Sequence, residues 1–132
     1  MTKTQTLLLK QETDIVLIRQ HVRKAAEDIR LGLVSQTKMV TAASEIARNA
    51  LIYGGGGECL LEVTQRNGRA ALHLVIRDQG KGIADLERAM VDGYTSGGGL
   101  GLGLSGARRL VDDFSIQSEV GVGTTVELWK WK

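Results

Sequence analysis

The glycine-dense run Gly97-Gly98-Gly99-Leu100-Gly101-Leu102-Gly103-Leu104-Ser105-Gly106 leads straight into a stretch whose apolar positions repeat with helical spacing. A backbone almost bare of side chains ahead of a helix is an anion-binding arrangement. Free N–H groups converge there, and the positive end of the helix dipole favours negative charge. Glycine also permits the positive-φ conformations and close approach that a polyphosphate needs. Glu45 and Asn49 offer a second chemistry. Four residues apart on a helix, they share one face at the edge of its apolar stripe. The carboxylate there can take a proton and the amide oxygen can hold a hard cation, although the pair alone also reads as a solvated face. Asp78 closes an apolar run and opens Asp78-Gln79-Gly80-Lys81-Gly82. Its alternate glycines let a flat ring approach, and its carboxylate suits the exocyclic amine that separates adenine from guanine. Alone, the motif also reads as an Asx turn.

Two common nucleotide schemes do not fit. No G-x-x-x-x-G-K-[ST] pattern exists, which excludes a P-loop. Gly101-x-Gly103-x-x-Gly106 matches the dinucleotide fingerprint in letters, but Asp92 to Gly97 ahead of it reads as loop, where that scheme requires a strand.

The elements that must hold these residues follow from periodicity. A short strand is expected at Thr6 to Lys10. An amphipathic helix follows, capped by Thr13 or Asp14, with Ile15, Ile18, Val22, Ala25 and Ile29 inward and Gly32 as its left-handed stop. Ser35 caps a second helix that buries Met39, Ala43, Ile46, Ala47 and Ala50 and stops at the glycines 54–57. Strands at Glu58 to Arg66 and Arg69 to Arg77 flank Asn67-Gly68, a strong hairpin signal. A helical turn or two at Asp85 to Val91 and a third helix from Leu102 to Asp112 come next. Strands at Ser115 to Val120 and Thr124 to Lys130 close a second hairpin. The order β-α-α-β-β-α-β-β predicts an α+β two-layer sandwich, a mixed or antiparallel sheet with about three helices on one face. Trp129 and Trp131 are expected to divide between the two faces of the last strand, one packed inward and one a candidate partner anchor.

Composition narrows the class. A net charge of +2, with acids and bases interleaved, argues against nucleic acid or a membrane surface as partner. No apolar run approaches a membrane span and no signal peptide is evident, so a cytoplasmic setting is expected. Cys59, the single cysteine, lies in an apolar strand and reads as a core residue.

Taken together, Glu45-Ile46-Ala47-Arg48-Asn49, Asp78-x-Gly80-x-Gly82, Gly97 to Gly103 and Gly123-Thr124 resemble the N, G1, G2 and G3 boxes of the gyrase, Hsp90, histidine kinase and MutL (GHKL) superfamily. That resemblance implies the Bergerat-type ATP-binding fold, as a single kinase domain over residues 1–132. It further implies that Asn49 ligates Mg²⁺ and that Glu45 activates the nucleophile. Asp78 would bind the adenine amine with support from Thr124, while Gly80 and Gly82 leave room for the base. Gly97, Gly98, Gly99, Leu100, Gly101, Leu102 and Gly103 would form the lid around the ATP phosphates.

No further domain of the gyrase or Hsp90 kind is expected. His21 and His73 read as ordinary surface or partly buried residues, not phospho-acceptors. Within the superfamily it is similar to the compact serine/threonine switch kinases of bacterial stressosomes, relatives of the anti-sigma factors. Thr13-Asp14-Ile15-Val16, Thr95-Ser96-Gly97-Gly98 and Arg109 to Ser115 carry that likeness, with Ser105-Gly106 departing where proline is frequent. The resemblance implies transfer of the ATP γ-phosphate to serine or threonine of STAS-domain proteins and activation of a PP2C-type phosphatase on release. An anti-sigma factor or nucleotide-controlled binding module, with a sigma factor as partner, is the alternative. Lys81 reads as a solvated lysine.

Overall fold

The computed structural model describes residues 3–85, 90 and 103–132. Within them the chain forms β1 (Lys3–Leu9), α1 (Glu12–Asp28), α2 (Leu33–Gly54), β2 (Gly57–Arg66), β3 (Arg69–Asp78), α3 (Gly103–Leu110), β4 (Asp113–Glu119) and β5 (Gly123–Trp131). The expected turns at Asp85 to Val91 fall largely outside the described residues, as do Gly97, Gly98, Gly99, Leu100, Gly101 and Leu102.

The five strands pair in the order β1-β2-β3-β5-β4, and every neighbouring pair is antiparallel. Of the mixed or antiparallel sheet expected from the element order, the described strands form the antiparallel one. Between β1 and β2 the chain makes a round trip through two helices, so β2 starts where β1 stops, with Leu9 opposite Gly57. β3 and β4 do run in the same direction around α3, but β5 is inserted between them, so they never become parallel neighbours.

The helices form because their apolar spacing gives each a continuous buried stripe. Ile15, Ile18, Val22 and Ala25 of α1 meet Met39, Ala43, Ile46 and Ala50 of α2 over the sheet residues Cys59, Leu61, Leu72, Leu74, Ile76 and Leu128. The ends differ from expectation. Asp14 sits inside the first turn, where its Oδ2 accepts the backbone N–H of Gln11 at 3.0 Å and of Lys10 at 2.8 Å. It acts as the acidic arm of a capping arrangement, not as the cap. α1 stops without glycine: Arg30 takes the left-handed conformation (φ 62°), with Leu31 N–H bonded to Ala26 O and Arg30 N–H to Glu27 O. That is a Schellman closure on a non-glycine residue. Gly32, expected there, has φ −62° and instead is the N-cap of α2, so Ser35 lies within the helix. α2 ends as expected, with Gly55 left-handed (φ 73°). Asn67 (φ 53°) and Gly68 (φ 79°) form the anticipated β2–β3 turn.

Trp129 and Trp131 share one face of β5, as a two-residue period requires, which corrects the expected division between faces. The Arg66 guanidinium covers both rings, at 4.6 and 5.2 Å from their centroids, and pairs with Asp113 at 2.8 Å.

Cys59 is fully buried, and desolvation pushes its thiol up to about 12 from 9.0. The folded protein should leave Cys59 unmodified by a thiol reagent at pH 8 until denaturant is added. A group raised on folding stabilises below its unfolded value and loses that contribution as pH rises. Stability should accordingly fall between pH 9.0 and about 12. Cys59→Val should flatten that segment of an alkaline denaturation series; an unchanged slope would refute the assignment.

Candidate active site

One helix and one strand end position the chemistry. Glu45 and Asn49 lie on α2, each half-buried beside the fully buried Ile46, Ala47 and Ala50. The apolar stripe fixes the rotation of α2, so both side chains sit at its margin, where polar ends reach solvent and their stems are held. Among the described residues neither has a hydrogen-bond or ion-pair partner. The neighbouring Arg48 turns away to Glu12 on α1, at 3.4 Å, and leaves the Glu45 carboxylate unpaired. Gly103, the first residue of α3, adjoins Asn49: a Cβ there would stand 3.9 Å from Asn49 Nδ2. α2 thereby brings the amide to the helix start into which the glycine run leads, with the acid one turn earlier on the same helix.

At the other end of α2, Asp78 terminates β3 opposite Gly57 on one side and Thr124 on the other. Asp78 Oδ1 accepts the Gly80 N–H at 2.9 Å, so the Asx turn is real. Oδ2 has no protein partner among the described residues and remains for a ligand donor. Thr124 Oγ1 shares a hydrogen bond of 2.8 Å with Ser118 Oγ. Ser118 Oγ also accepts the Ile83 N–H at 2.7 Å and donates to Gly123 O at 3.2 Å. Ser118 thus ties the turn after Asp78 to the β4–β5 hairpin, a role that its polar setting in a strand did not advertise.

The glycines around Asp78 do more than stop a helix. A Cβ on Gly54 would collide with the Asp78 carboxyl, one on Gly80 with the Gly54 backbone, and one on Gly123 with the Asp78 carbonyl. A Cβ on Gly82, which has φ 76°, would strike the Glu119 carbonyl. In the direction a side chain would take, Gly80 and Gly82 face the protein's own backbone. Their absent side chains let α2, β3 and the β4–β5 turn close on Asp78. Gly54 was missed as a site residue and Gly123 was noted only beside Thr124, because only the three-dimensional register reveals what they face.

A cavity of about 900 Å³ opens at this end of the sheet, lined by Gly54 to Glu58, Arg77 to Gln79, Ser118 and Gly123 to Thr125 among others. Asp78 and Thr124 border it, while Glu45 and Asn49 do not. Lys81 is exposed, as expected. His73 stacks on Trp129 with ring centroids 4.0 Å apart and lies between Glu62 (3.3 Å) and Glu127 (2.8 Å). That engaged position on the open sheet face agrees with its reading as a structural residue.

A divalent cation fits the donor set. Mg²⁺ takes hard oxygen ligands and keeps several sites for water and phosphate, so one amide oxygen with a carboxylate nearby is a sufficient protein contribution. Among the described residues no cluster of three His, Cys, Asp or Glu side chains could hold a metal without such help. No described helix is long and apolar enough to cross a membrane.

With an anion-receptive helix start, an unpaired acid, an amide and a strand-terminal aspartate on this framework, the fold and site define an ATPase-type nucleotide-binding domain. Residues 34–132 match the family "histidine kinase-, DNA gyrase B-, and HSP90-like ATPase", and the chain belongs to it. It is 40% identical over 131 residues to the serine/threonine-protein kinase RsbT of Bacillus subtilis, covering 99% of this chain and 98% of that one. It is also 37% identical over 101 residues to the anti-sigma F factor of Bacillus licheniformis, covering 71% of this chain and 68% of the relative. Among solved structures, the RsbU and RsbW domains of a Mycobacterium tuberculosis protein share its fold. That match has a TM-score of 0.65 at 19% identity and covers 98% of this chain and 32% of the other. A mycobacterial sensor histidine kinase, MprB, matches with TM-score 0.60 at 20% identity over 98% of this chain and 97% of its own.

The packing at Asp78 yields a direct prediction. Gly54→Ala should displace the Asp78 carboxyl and weaken ATP binding by about tenfold or more. Gly32→Ala, with nothing within 4 Å of the added methyl, should leave affinity unchanged. Calorimetric titration of both variants checks the pair, and equal affinities would show that Asp78 is not held by this contact.

Proposed function

We propose that this protein is a Mg²⁺-dependent serine/threonine protein kinase of a partner-switching signalling module. It would transfer the γ-phosphate of ATP to a hydroxyl of a STAS-domain protein and, once released from that substrate, activate a PP2C-type phosphatase. The observation that carries the reading is the unpaired Glu45 carboxylate one helical turn from Asn49, which itself adjoins the first residue of α3. RsbT similarity over nearly the whole chain supports the substrate class.

In this reading Asp78 Oδ2 accepts the adenine amine, and Thr124 supports that end through Ser118. Asn49 Oδ1 would hold Mg²⁺, which supplies neutralisation of charge on the phosphate oxygens. The N–H groups at the start of α3, with the lid Gly97 to Gly103, would receive the phosphates. The serine or threonine Oγ attacks the γ-phosphorus while its proton passes to the Glu45 carboxylate. The bond from the γ-phosphorus to the β,γ-bridging oxygen breaks and ADP departs. Most of the acceleration comes from alignment and charge neutralisation, with the base adding about 10²–10⁴-fold.

Similarity to anti-sigma F factors favours one alternative, a binding module whose nucleotide state selects between partners, a sigma factor among them. The two readings separate at Glu45. Glu45→Gln should cut labelled phosphate transfer from γ-labelled ATP to a cognate STAS protein by about 10²–10⁴-fold, with ATP affinity changed far less. Wild-type protein that binds ATP and transfers nothing, while nucleotide alters its affinity for a sigma factor, would establish the alternative. Asn49→Ala should abolish the Mg²⁺ dependence of ATP binding in either case.

A further inference from the structure

Lys130 stands on the core side of β5, where it is 7% exposed; among the described residues it is the only buried charged side chain. Its ammonium donates to the Leu110 carbonyl at 3.3 Å and to Asp112 Oδ1 at 3.4 Å. Asp112 donates its own N–H to Trp129 O at 2.9 Å and accepts the Trp131 N–H on Oδ2 at 2.9 Å. Leu110 is the last residue of α3. Four hydrogen bonds therefore clasp the C-terminal end of this helix to β5. A cation at that end also satisfies a carbonyl that the helix itself leaves unpaired.

Burying an ion pair is a poor way to gain stability, since apolar residues of the same volume commonly do as well or better. What a directional clasp supplies is a fixed axis. α3 has eight residues, a length of about 12 Å, and its opposite end is Gly103 beside Asn49. A tilt of about 10° at the clasp would move Gly103 by about 2 Å, and displacements on the order of 1 Å at a reacting centre cost about a hundredfold in rate.

We propose that Lys130, with Asp112, is a positioning residue for phosphoryl transfer: it aims the start of α3 at Asn49 so that the phosphates are received in register with the metal ligand. The inference rests on the nucleotide reading above. Because coupling between two sites is reciprocal, nucleotide bound at one end of α3 must tighten the clasp at the other.

Lys130→Met tests this, since it keeps the volume and removes the charge. Because it leaves the Asp112 carboxylate without its cation, it should unfold at a lower denaturant concentration than the wild type, yet under conditions where it is folded it should bind Mg²⁺–ATP about tenfold more weakly and lose more in kcat. In the wild type, a non-hydrolysable ATP analogue should slow hydrogen exchange at the Asp112 and Trp131 amides several-fold, and Lys130→Met should abolish that slowing. The exchange measurement stands even if the variant fails to fold. A folded Lys130→Met with wild-type ATP affinity, or clasp amides indifferent to the analogue, would overturn the proposal. Wild-type protein that does not bind ATP would instead overturn the nucleotide reading.

Discussion

Backbone meets backbone at the end of α2, and the site depends on that contact. Gly54, Gly80 and Gly123 each lack a side chain where one would strike Asp78 or its neighbours. The close approach anchors the C-terminal end of α2 to the end of β3 and to the start of β5. It also fixes how far Glu45 lies from Asp78 along the structure, because the intervening nine residues are continuous helix with a rise of about 13 Å. One rigid rod thus carries Glu45 at one position and touches the Asp78 carboxyl at another. A helix can serve as such a ruler only if it does not slide. The Gly54–Asp78 contact at its end and the buried apolar stripe along its length both prevent sliding.

Periodicity made most of the fold legible. Apolar residues at three- and four-residue steps identified both long helices and their buried faces, and Asn67-Gly68 located the turn between β2 and β3. Element ends were less readable, because several chemistries compete for them. Arg30 closes α1 in a conformation normally left to glycine, since Leu31 is drawn into the core at 6% exposure and pulls the chain into that bend. Gly32 was then free to start the next helix. Element order left the sheet mixed or antiparallel. Two consecutive helices between β1 and β2, and β5 inserted between β3 and β4, make it antiparallel throughout the described strands.

Side chains with chemistry of their own were legible, and those that act through others were not. Glu45, Asn49 and Asp78 drew attention by type and spacing, each with a second reading as a solvated face or an Asx turn, and the framework brings Asn49 to the start of α3 and Asp78 beside Thr124. Ser118, Gly54 and Lys130 carry no local signal, because their importance lies in what faces them across the sheet or from a helix end. Strand register and helix placement are properties of the assembled core, and a linear pattern reports only its period. The two tryptophans illustrate the same limit. Their two-residue spacing was read as dividing them between faces, although a strand period of two puts them on one, and only the assembled sheet shows Arg66 lying across both rings.

The insertion of β5 between β3 and β4 also sets an order of events during synthesis. β1, β2 and β3 with both long helices can pair as soon as they emerge, since their contacts involve only residues already made. Thr124 reaches Asp78, and Lys130 reaches the end of α3, only when the latest of these segments slides into a slot whose two walls already exist. Such long-range pairing forms late and slowly. The chain without β5 therefore holds Glu45 on α2 but has neither Thr124 beside Asp78 nor Lys130 at the end of α3. The corner around Asp78 and the clasp on α3 are completed together, by a single strand.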